Sequence, residues 1–149
     1  MEKLKNRPCG NCGANAIEQV NLKGTWFNEP WKDFPKVFIT HDINHLQCRE
    51  CGEFAGTRSI AKAFDEAVRH SIKDQVSHFI TAIKQRTKLP FTEIAERIPM
   101  GYQHLSDLKN KRSFPSYHYW ALLYSIYRDP DLLDRLDPRS EDAPVSNFG

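Results

Sequence analysis

The stretch LPFTEIAERIPMGYQHLSDLKNKRSFPS, residues 89–116, decides how this chain is read. Pro90 and Thr92 mark a helix start, with Thr92 able to cap a short helix through Ile98. Pro99 stops it at a Met100-Gly101 turn, since proline lacks the amide the helix needs. A second helix is then expected from Tyr102 to Lys109, followed by a basic loop, Asn110 to Pro115. Ser116 is placed to cap an aromatic helix through Tyr127, and Pro130 to open a last short helix ending near Leu136.

Upstream, Ile60, Phe64, Val68, Ile72, Val76, Phe79, Ile80 and Ile83 recur at three- and four-residue steps, the period of a helix buried along one face. Ser71 with Asp74 three residues on resembles a capping box, which predicts two helices, 58–70 and 72–87. Residues 1–56 carry Gly, Pro and Asn without helical period, and runs such as Ala16 to Val20 and Val37 to Thr40 read as short strands. The tail turns to Pro, Ser and acid, so order is expected to end near Asp137. No internal repeat is present. The expected fold class is α+β: a small N-terminal zinc ribbon with short strands (1–57), a connecting helix (58–70), an all-α helix-turn-helix domain (71–136) and a disordered tail (137–149).

Two C-x-x-C pairs, Cys9/Cys12 and Cys48/Cys51, hold the strongest chemical signal. A two-residue spacer lets a tight turn present two sulfurs to one ion, and zinc takes four such ligands at about 2.3 Å. Gly13 and Gly52 follow the pairs, where the backbone must turn. The site is therefore expected to hold one structural Zn2+, with no open position for a substrate. Two disulfides, a redox C-x-x-C and an iron–sulfur cluster are the other readings. His41 and His45 stand close enough in sequence to replace a sulfur, although four cysteines already satisfy the ion. A ribbon this small buries too little core to fold without metal.

The insert between the pairs carries Trp26, Phe27, Pro30, Trp31 and Phe34. These aromatics either cover the ribbon or form a partner-binding patch, with Trp26, Phe27 and Trp31 its centre.

Hydrophobic residues make up 40% and charged residues 27%, a mix that folds. No window approaches the roughly 18 apolar residues of a membrane span, and Met1 to Arg7 lack a signal-peptide core, so a cytoplasmic location away from membranes is expected. In a reducing cytosol four cysteines point to metal before disulfides. Net charge is only +2, with a mild basic excess in residues 71–136, where ten Lys and Arg face seven Asp and Glu. A phosphate backbone would be met there. No catalytic residues are expected: there is no phosphate-cradling Gly loop or nucleophile context, and His70, His78, His104 and His118 are scattered.

Residues 89–116 resemble the lambda-repressor-like (Xre) helix-turn-helix family without a gap. Ile94, Ala95, Ile98, Leu105 and Leu108 fall where that family places its core, and the spacing from Ala95 to Met100-Gly101 is the family's own. The resemblance implies that Tyr102–Lys109 enters a DNA major groove. By position Tyr102, Gln103, His104 and Ser106 face outward, Gln103 suits adenine, and Lys109, Lys111 and Arg112 would meet phosphates.

Order adds to this. A two-pair zinc ribbon, a connecting helix and an Xre-type domain together resemble the MqsA-type antitoxin family over about residues 8–136. Phe79-Ile80, Pro115-Ser116, Leu122-Leu123 and Pro130-Asp131-Leu132-Leu133 belong to the likeness. That resemblance implies an antitoxin of a type II toxin–antitoxin system that binds its own promoter as double-stranded DNA. It also implies that the zinc domain binds a cognate toxin and that the helical domain dimerises. The family reads DNA through an Asn and an Arg, whose places Gln103 and Asp107 hold here. Asp107 would repel phosphate, so it either accepts from a cytosine amino group or marks an altered DNA role. A phage or mobile-element repressor without a toxin, and a protein-binding module with a vestigial helix-turn-helix, remain as alternatives. Tyr117, Tyr119, Trp120, Tyr124 and Tyr127 exceed what a core needs, which suggests a homodimer interface. Two recognition helices about 34 Å apart would require one.

Overall fold

The structure, a computed structural model, describes residues 7–139. The chain is α+β, with short antiparallel strands followed by helices, and it divides into two compact units between Ser71 and Ile72.

In the first unit β1 (Ile17–Asn21) pairs antiparallel with β4 (Asn44–Cys48), and β4 pairs with β5 (Phe54–Ala55). A separate ribbon joins β2 (Trp26–Phe27) to β3 (Val37–Phe38). The two-residue period of β4 turns Leu46 and Cys48 inward, both almost fully buried. Ile39 ties the two sheets' loops together, since its amide donates to Thr25 and its carbonyl accepts from Gly24.

The insert closes on itself through paired backbone bonds between Trp31 and Phe34 at 2.9 Å each. Both rings are buried with Val37, and the Trp31 indole donates to Asp65 at 3.1 Å. Phe27 packs against Phe54 and Phe64. Each ring removed from water in this way contributes about 1.5–3 kcal/mol, a large share of what so small a unit can gather.

Helix α1 (Arg58–Thr87) is 30 residues long and unbroken. Thr57 begins it, its hydroxyl accepting from the Ile60 amide at 3.3 Å. The break expected at Ser71 is absent. The Ser71 hydroxyl instead donates to the Ala67 carbonyl, four residues back, at 2.8 Å, and accepts from the Thr40 amide at 3.0 Å. A serine with both partners satisfied inside a helix does not compete with the helix, and its apolar neighbours keep the period running through it. The first half of α1 supplies Ile60, Ala67 and Val68 to the first unit's buried set.

The second unit is built on the other half of α1, with α2 (Phe91–Arg97), α3 (Tyr102–Lys109), α4 (Tyr117–Arg128) and α5 (Leu132–Leu136). Its core joins Val76, Phe79, Ile80 and Ile83 to Ile94, Ala95, Ile98, Met100, Leu105, Leu108, Leu123, Ile126 and Leu133. Pro90, not Thr92, occupies the cap position of α2, and Thr92 lies exposed in the first turn. Proline serves there because the first helical turn has amides without intrahelical partners in any case. The turn between α2 and α3 closes when the Met100 amide donates to Ala95 at 3.0 Å. Ser116 caps α4 as read, accepting from the Tyr119 amide at 3.3 Å.

Most of the tail expected to be disordered lies outside the described residues. Within them, Asp137 and Arg139 are ion-paired to each other, and Arg139 also reaches Glu93 and Glu96 on α2.

Candidate functional site

The four cysteines come from two loops of matching build. In each, the first cysteine's amide donates to the residue five positions on, Cys9 to Ala14 and Cys48 to Glu53, both at 2.9 Å. In each, the glycine amide returns to that first cysteine's carbonyl, Gly13 to Cys9 and Gly52 to Cys48, at 2.8 and 2.9 Å. Both glycines have φ of 77°, left-handed backbone that a side chain would strain. The pairing of Ile17 with Cys48, and the Arg49 amide on the Ala16 carbonyl at 2.9 Å, then bring the loops face to face.

The result is a cluster whose four sulfurs lie within 4.8 Å of one another. Cys9 and Cys51 approach to 3.6 Å, as do Cys12 and Cys48. A tetrahedral ion with sulfur bonds of about 2.3 Å needs sulfur–sulfur edges of about 3.8 Å, so the donor set fits one metal ion. The Asn11 side chain, then the Glu53 backbone amide, hold the Cys51 thiol down at about 6, toward the thiolate that binds metal. The Ala14 backbone amide lowers Cys12, but hydrogen bonds with Cys48 and the other thiols outweigh it and push Cys12 up to about 12. A divalent cation would replace the protons these thiols share.

The two histidines stand outside the cluster. His45 accepts from the Leu46 amide at 2.9 Å and packs its ring on Phe54 and Phe64, while the His41 ring lies 5.5 Å from that of His70.

Of the insert's expected patch, Trp26 alone is an exposed large ring, 41% accessible, with Lys36 over its face at 4.5 Å and Phe38 at its edge. Phe27 is half-buried and Trp31 is buried. Two of the three rings thus serve the core, because the Phe34 turn and Asp65 draw Trp31 inward.

On α3, Leu105 and Leu108 are buried, leaving Tyr102 and Gln103 exposed and Ser106 and Asp107 partly so. His104 departs from the outward placement expected of it. Its Nε2 is buried without a hydrogen-bond partner and its ring meets Tyr119 at 5.1 Å, since α4 crosses that side of the helix. Asp107 receives two bonds on one oxygen, from Gln103 Nε2 at 2.9 Å and Arg112 Nε at 3.0 Å. These two donors, Arg112 first, hold its carboxyl below the usual carboxylate range. Lys111 pairs with Asp74 of α1 at 2.7 Å, and Lys109 lies over the Phe91 ring at 5.4 Å.

On α4 the rings of Tyr117, Trp120 and Tyr124 form one stack, with interplanar angles of 17° and 16°, and Gln75 accepts from the Trp120 indole at 3.0 Å. Asp74, read in the sequence as the capping-box partner of Ser71, pairs instead with Lys111, and Gln75 was not singled out. Nothing local marks either role, because the partners lie more than thirty residues away.

Among known proteins, no family model matches the chain, and no curated protein matches its sequence. No helix among the described residues is long and apolar enough to cross a membrane.

Proposed function

We propose that the chain is a DNA-binding transcriptional regulator of the antitoxin type, which represses its own operon through α3 and binds a toxin through the cysteine-bearing unit. The observation that carries the reading is the α2–turn–α3 unit. Two short helices are locked by the Ala95–Met100 bond, bury Leu105 and Leu108, and leave Tyr102, Gln103, Ser106 and Asp107 along the outer side of the second. A helix held this way and bearing polar side chains is the element that enters a major groove. The toxin role rests on the family resemblance, with Trp26 as the side chain free to meet a partner.

The metal is zinc, one ion per chain and structural, because four soft thiolates complete its tetrahedron and leave no position for substrate. The protein acts in the cytoplasm as a homodimer joined near the Tyr117–Trp120–Tyr124 stack, and it is not an enzyme.

A second reading has one observation in its favour. Lys111 and Arg112 are already paired with carboxylates, which suits a protein-binding module as well as a DNA-binding one.

The test is titration of the zinc-loaded protein with its upstream promoter duplex and a scrambled duplex, at low and at physiological salt. Promoter preference that survives physiological salt supports the regulator, because non-specific phosphate binding fades there. Binding to neither duplex overturns it in favour of the protein-binding module.

A further inference from the structure

Arg112 follows α3 by three residues and is expected from sequence to touch phosphate. The fold lays it back along α3. Lys111 adopts left-handed backbone, φ 61°, and its ammonium is anchored on Asp74 while its carbonyl accepts from Lys73 at 3.4 Å. A non-glycine residue is strained in that conformation, and these α1 contacts, with the Ser77 hydroxyl on the Lys109 carbonyl at 2.6 Å, oppose the strain. The reversal returns Arg112 along α3, where its amide donates to the Asp107 carbonyl at 2.8 Å. Its Nε then meets the Asp107 carboxylate at 3.0 Å, and its Nη2 lies 3.4 Å from the Ser106 hydroxyl. The side chain is 56% exposed.

We propose that Arg112 is a base-reading residue, held by Asp107 to present its two Nη amines to a guanine in the major groove beside the base met by Gln103. This rests on the DNA reading above. Arginine pairs bidentately with guanine O6 and N7 in one plane, and specificity grows when that plane is set before binding. Asp107 supplies the setting: it occupies Nε, leaves the far edge of the guanidinium for the base, and bonds Gln103 on the same oxygen. A carboxylate on the recognition helix, a liability toward phosphate, is here the orienting group for two readers. Nη1 takes no part in either of the bonds Arg112 makes to α3 side chains.

The experiment is selection from a randomised duplex library at physiological salt by the full zinc-loaded chain and by Arg112→Lys, Arg112→Ala and Asp107→Asn, with melting curves to confirm folding. The wild type is expected to select one invariant G·C pair. Arg112→Lys, which keeps the charge but not the fork, should lose roughly ten- to hundredfold preference at that pair alone and keep the salt slope. Asp107→Asn should relax the same pair while binding non-specific DNA no less tightly. Uniform weakening of every duplex by Arg112→Ala, with Arg112→Lys harmless, would make Arg112 a phosphate contact and overturn the proposal while leaving the DNA reading intact. Failure of the wild type to bind any duplex would overturn both.

Discussion

The Ser71 hydroxyl accepts from the Thr40 amide at 3.0 Å, across 31 residues, while donating to its own helix. Ser71 is the one fully buried polar residue of the described set, and this bond ties the loop after β3 to α1. Replacing it by alanine leaves the half-buried Thr40 amide without its acceptor. We expect Ser71→Ala to destabilise the first unit by about 1–3 kcal/mol, read as a lower urea midpoint with unchanged slope. A midpoint equal to wild type would show that water or a backbone shift satisfies Thr40.

Removing metal should act on one unit only. Chelation, or Cys48→Ser, is expected to collapse the dispersed amide signals of residues 14–55 in a proton–nitrogen correlation spectrum, while those of 91–136 persist. The cysteine loops close β1 onto β4 and β5, whereas the helical core has thirteen buried residues of its own. Full dispersion after verified metal loss would make the ion dispensable to the fold.

The two insert tryptophans should separate cleanly. Trp31→Ala removes a buried ring and its bond to Asp65, for an expected loss of about 3–5 kcal/mol. Trp26→Ala removes an exposed ring packed on Phe38 and Lys36, for about 1 kcal/mol. Denaturant curves of the two variants decide this, and equal losses would contradict the burial difference.

Acid should loosen the contact between α2 and the segment after α5. Arg139, and then Arg97, hold the Glu93 carboxyl below its ordinary value of 4.5, and Arg139 does the same to Asp137. Depressed carboxylates contribute stability that is present above the unfolded pKa and lost as pH falls through the folded one. Glu93→Gln should therefore melt below wild type at neutral pH, with the gap closing below about pH 4.5. Both carboxylates are only partly exposed, so salt should narrow the difference without removing it. A gap constant from pH 7 to 3 would remove Glu93 as its source.

The four-cysteine cluster was legible because its chemistry is written at short range: each pair sits in one turn, and the glycine behind it answers a local backbone need. The same holds for Ser116, whose capped amide is three residues on, and for α3, bounded as read at Tyr102 and Lys109. Thr92 misled, since Pro90 two residues earlier already met the requirements of a helix start.

What sequence alone determined is the set of features that neighbours along the chain decide: cysteine spacing, helical period, turns, and the alternation of apolar strands. Tertiary structure decided the direction of each side chain whose partner is remote. Thr40 turned Ser71 from an apparent cap into a link, Asp65 decided for Trp31 between a place in the core and one in a partner patch, and Tyr119 took His104 from the outer face of α3. Asp74 held the loop that lays Arg112 on Asp107. The physical reason is common to all four: the direction of a side chain follows contacts with residues remote along the chain, and those leave no trace in local spacing.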